Sequence, residues 1–97
     1  FSYLGNFKIS DTVFRQILEY LSKKTDSIHR VNRVRIDKNE NGEGASIYME
    51  VVTVYGYNVL EELKNFKKKC KREIENLTAM NIETTDIVAK GIYIPEE

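Results

Sequence analysis

Between Ala45 and Val54 the chain alternates without a break: Ile47, Met49, Val51 and Thr53 fall on one side, Tyr48, Glu50, Val52 and Val54 on the other. A two-residue period is the mark of a β-strand, and here the second face is itself partly apolar. After the corner Val54-Tyr55-Gly56-Tyr57-Asn58 the period changes to that of a helix. Gly56 permits the sharp backbone turn, and Asn58 is placed to cap the first helical turn with its side-chain oxygen. From Asn58 to about Thr78, the residues Val59, Leu63, Phe66, Cys70, Ile74 and Leu77 fall in a stripe about 60–80° wide at about 100° per residue.

The flanking segments read as follows. Leu4 to Ile9 is a short strand weakened by Gly5. Ser10 precedes a helix with Asp11 and Thr12 in its first turn, where a carboxylate suits the positive end of the helix dipole. Val13, Ile17 and Leu21, with Phe14 and Leu18 beside them, give that helix an apolar face to about Lys24. Thr25-Asp26-Ser27 is a loop. Ile28 to Asp37 is strand-like, with Val34 and Ile36 opposite Arg33 and Arg35; Val31 is out of phase, so the regular strand is expected from about Asn32. Asn41-Gly42 marks a hairpin turn within Lys38 to Gly44. Ile82 to Ile94 is the last strand, with a bulge expected near Gly91, and Pro95 ends it.

The order β-α-β-β-α-β predicts an α+β two-layer sandwich, with two helices on one face of a mostly antiparallel four-stranded sheet. Strand order does not follow from the pattern; a ferredoxin-like order is the most populated option. The 97 residues make a single domain, 1–97.

Charge narrows the function only slightly. Fifteen basic and fifteen acidic residues cancel, which does not suit an electrostatic nucleic-acid binder. No apolar run approaches the roughly 20 residues that cross a bilayer. A chain opening on Phe1 is consistent with an excised piece, so the lack of a signal-peptide pattern says little of a full-length protein. Cys70 and His29, one of each, fall short of the four ligands of a structural zinc site, and nothing around either suggests an activated nucleophile. Cys70 sits in the apolar stripe and reads as a small buried hydrophobe. Phosphate-cradling glycine loops, paired histidines and nucleophile elbows are absent from the sequence. Neither catalytic nor metal nor cofactor residues are expected.

Two surfaces attract attention. Lys64, Lys68, Lys71 and Arg72 share one flank of the long helix, which suits phosphates, an acidic partner or an anionic membrane. Glu61, Glu73 and Glu75 lie within pairing distance, so a solvated helix face explains them as well. The second surface is the outer phase of the sheet, where Tyr48, Val52, Val54 and Val88 could be covered by another subunit. RNA binding on that sheet would want base-stacking aromatics, but the third strand offers only Tyr48 with Glu50 beside it.

Tyr55-Gly56, Val59, the segment Glu75-Asn76-Leu77-Thr78-Ala79-Met80 and the strand from Ile82 to Gly91 together resemble the alkaline shock protein family. In that family a strand ends in Tyr-Gly, and a long helix runs to a Glu-x-Met-Thr-Gly-Leu-like segment. A valine-alternating strand then closes on Gly. Leu4-Gly5 and Ile9-Ser10 resemble the family's opening more loosely. Departures are Ala79 where Gly is usual, Arg30-Val31 for Gly-Val, Lys67 for Gln and Thr85 for an apolar residue. The resemblance implies a non-enzymatic bacterial protein of stress response and cell-envelope homeostasis. Its expected place is the cytoplasm, in some members held at the membrane by a partner protein. The expected function is protein–protein interaction, by self-association or by docking a membrane-anchored partner. The alternative is RNA or anionic-surface binding through the basic face of the second helix.

Overall fold

The computed structural model describes residues 9–40 and 43–96. Its elements are α1 (Asp11–Lys23), β1 (Ile28–Lys38), β2 (Gly44–Val54), α2 (Val59–Thr78) and β3 (Asn81–Tyr93). Residues 4–8 of the expected first strand, and the Asn41-Gly42 turn, lie outside the described residues; Ile9 is half-buried just before α1.

The sheet runs β1-β2-β3. β1 and β2 are antiparallel, joined by a hairpin closed where Asn39 N–H donates to the Gly44 carbonyl at 2.8 Å. β2 and β3 are parallel. The described sheet is therefore mixed and three-stranded where a mostly antiparallel four-stranded one was expected; the expected first strand falls outside the described residues, and α2 is the reason β3 runs parallel. Eleven strand residues advance the chain about 36 Å, and a 20-residue helix returns it about 30 Å. β3 thus starts beside the start of β2, with Asn81 paired to Gly44 and Tyr93 to Val54. A ferredoxin-like order would put another strand between these two; here they are direct neighbours.

Both helices cover one face of the sheet. Ala45, Ile47, Met49, Val51 and Thr53 of β2 point into the core, where Phe14, Leu18 and Leu21 of α1 meet Phe66, Cys70 and Ile74 of α2. Two register shifts in β1, between Ile28 and Arg30 and between Val31 and Arg33, let Val31 face the core despite its phase. The strand itself starts at Ile28, but its pairing runs without a shift only from Arg33, next to the expected Asn32. β3 carries two further shifts, one between Ile82 and Thr84 and one between Ala89 and Gly91, the second where the glycine signals a bulge.

The stripe of α2 is narrower than its sequence suggests. Phe66, Cys70 and Ile74 are buried, Val59 and Leu63 are partly so, and Leu77 is 64% exposed. Asn58 caps the helix, accepting from Glu61 N–H at 3.0 Å, and Gly56 takes φ +110° at the corner. At the other end Ala79 adopts a left-handed φ of 59°, its N–H reaching the Glu75 carbonyl at 2.9 Å. The cap expected of glycine is formed by alanine.

Candidate interaction surface

Strand alternation turns Arg33 and Arg35 of β1, Tyr48, Glu50, Val52 and Val54 of β2, and Asp86 and Val88 of β3 away from the helices. No described element covers this side of the sheet. Register arranges it in rows across the three strands: Arg35–Tyr48–Asp86, then Arg33–Glu50–Val88, then Arg30–Val52–Gly91. The β1 margin carries Arg30, Arg33 and Arg35 with Asp37 at its end, the β3 margin carries Asp86 and Val88, and an aromatic–carboxylate pair runs down the middle.

Tyr48 is the hub of that face. Its hydroxyl donates to Glu50 Oε2 at 2.8 Å, and the Arg35 guanidinium lies 5.0 Å from its ring centroid. The hydrogen bond to Glu50, helped by partial desolvation and the Glu50 charge, raises the phenol pKa; Arg33 and Arg35 oppose the shift. Arg35 also reaches Asp37 at 3.4 Å. Toward the other end of the face, His29 of β1 stacks on Tyr93 of β3, with centroids 3.9 Å apart and rings within 1° of parallel. β2 lies between their strands, so no local sequence signal could have foretold this contact.

The four sheet residues named from the sequence, Tyr48, Val52, Val54 and Val88, therefore share one face. The four helix residues do not join them. Lys64, Lys68, Lys71 and Arg72 are exposed on α2, across the sheet from that face. Lys71 pairs with Glu75 at 3.5 Å and Arg72 with Glu73 at 3.9 Å, so two of the four cations are locally compensated.

A second apolar surface, which the sequence reading did not single out, lies in the helical layer. Val13, Ile17 and Tyr20 of α1 and Leu77 of α2 line a shallow groove of about 240 Å³. Leu77, at the end of the α2 stripe, was the available signal.

Cys70 is fully buried, and burial pushes its thiol up to about 12, so it stays protonated. His29 is held against Tyr93 on the open side of the sheet, whereas Cys70 sits between sheet and helices. Another cleft, of about 370 Å³, lies between the α1–β1 loop and the start of α2; Lys24, Lys69, Asp26 and Glu62 are among its lining residues, so its charges balance. Among the described residues no three His, Cys, Asp or Glu side chains gather into a metal site.

The α-β-β-α-β order and mixed sheet are shared with known structures. A manganese form of a substituted MamM CTD superposes with a TM-score of 0.59 at 11% identity, over 84% of this chain and 99% of that one. A copper form of another substituted MamM CTD gives 0.58 at 11%, over 84% and 98%. A further MamM variant gives 0.60 at 10%, over 87% and 99%. At such identity the likeness shows the fold alone: two helices on a three-stranded mixed sheet. No family model matches the chain, and no curated protein matches it either.

Proposed function

We propose that the chain is a non-enzymatic protein-interaction module whose contact surface is the open face of its sheet. The observation that carries this is the placement of Val52, Val54 and Val88 beside Tyr48 on a side that no described element covers. Apolar side chains held on a rigid sheet gain from being covered, each by a fraction of the about 1.5–3 kcal/mol that full burial is worth, since all three are already partly covered. The resemblance to alkaline shock proteins supports assigning the module to stress response and cell-envelope homeostasis, in the cytoplasm, by self-association or through a membrane-anchored partner. The formation of the left-handed cap at Ala79, where that family has Gly, is in keeping with the resemblance. Neither α1 nor α2 is long and apolar enough to cross a membrane. The metals named for the MamM CTD forms do not extend to this reading, because the described residues supply no ligand cluster. Binding of RNA or an anionic surface by α2 is the weaker reading, since Lys71 and Arg72 are already paired.

Val88 is 37% exposed, so a polar replacement there spares the fold. In sedimentation velocity at high concentration, and in crosslinking against cell extract, Val88→Lys and Val52→Lys weaken association by about tenfold or more. Unchanged association in both variants, or a parent protein that neither self-associates nor crosslinks to anything, refutes the proposal.

A further inference from the structure

We infer that the open sheet face is covered by a second copy of this chain, related by a two-fold axis that lies between the sheets and runs parallel to the strands. The inference rests on the contact surface proposed above and names its occupant. The argument is charge complementarity. Stacked sheets sit about 10 Å apart, within reach of an arginine on one and a carboxylate on the other. Rotation about an axis along the strands keeps each row at its own level and exchanges the two margins. Arg35 of each copy then faces Asp86 of the other, because both belong to the row through Tyr48. By the same operation Arg33 faces Val88 of the second copy, laying its aliphatic stem on an apolar side chain.

An axis across the strands fails. Centred between the Arg33 and Arg35 rows, it would set β1 over β1 and bring these arginines against those of the second copy, an arrangement of like charges that disfavours it. Along the favoured axis the central strands meet, so Val52 and Val54 are covered and Tyr48 lies over its symmetry mate. Glu50 also meets its mate, but each Glu50 has Arg33 beside it in the same row and accepts the Tyr48 hydroxyl. A contact of this kind is isologous: one patch, self-complementary, closing at two copies.

Charge reversal tests the axis itself. Arg35→Glu alone sets carboxylate against carboxylate twice in a homodimer, and Asp86→Arg alone sets cation against cation twice. Each variant by itself is expected to self-associate at least about tenfold more weakly than the parent. Mixed in equal amounts, they restore both opposite-charge pairs, and native mass spectrometry reads the heterodimer directly. Circular dichroism checks that both variants are folded. A mixture that stays monomeric, or single variants that associate like the parent, overturns the inference. If the parent dimerises and Val88→Lys breaks the dimer while the mixture restores nothing, the contact surface stands and this axis falls. If the parent is monomeric to about 1 mM yet crosslinks to another protein through this face, the second copy falls and the interaction module stands.

Discussion

Cys70 is the residue whose chemistry is most fully determined by its place. Fully buried between Phe66 and Ile74 on the inner stripe of α2, it has its thiol raised from 9.0 to about 12 by desolvation, against a small opposing pull from Lys69. The native protein is therefore expected to resist a thiol reagent until denaturant is added. The pH consequence has a definite sign. Below about 9 the thiol is protonated in both folded and unfolded chains and contributes no pH dependence. Between about 9 and about 12 the unfolded chain loses this proton and the folded chain keeps it, so stability falls as pH rises. Urea unfolding across that window should show a shallower decline in Cys70→Ala than in the parent. Equal slopes would contradict the assigned burial. Cys70's position in the apolar stripe made its burial legible from sequence, whereas Leu77 on the same stripe is exposed, because no described element packs over that end of α2.

At the scale of elements, period and punctuation were legible, and pairing was not. β2 and α2 follow from unbroken two-residue and helical periods, and the Gly56 corner and Asn58 cap appear where their chemistry placed them. β1 was harder, since two register shifts hide its true phase, and only cross-strand partners reveal them. The parallel pairing of β3 depends on the length of α2 relative to β2, a relation no local pattern states. The C-terminus of α2 carries the strongest element-level prediction. Ala79 holds φ 59°, a conformation that crowds its Cβ against the backbone and that glycine enters freely. Ala79→Gly should therefore stabilise the protein by about 1 kcal/mol, measured by denaturant midpoint at constant slope. Destabilisation by the glycine would mean that the left-handed cap is not formed in solution.

For the molecule as a whole, the two layers leave two apolar surfaces uncovered among the described residues. One is the open sheet face, with Val52, Val54 and Val88 beside Tyr48 and Tyr93; the other is the interhelical groove, where Tyr20 is 59% and Val13 40% exposed. The sheet residues were legible as an outer phase of alternation, but the rows joining them to Arg33, Arg35 and Asp86 emerged only with register. The stacked His29–Tyr93 pair needed the full fold. The sheet face sets apolar side chains between Arg33 and Arg35 on one margin and Asp86 on the other, and for that reason the contact is proposed there. Hydroxyl-radical footprinting as protein concentration rises compares the two surfaces within one sample. Tyr48 and Tyr93 are expected to lose reactivity together while Tyr20 stays oxidisable. Protection of Tyr20 and Leu77 with Tyr48 and Tyr93 left reactive would contradict the account and move the contact to the helices.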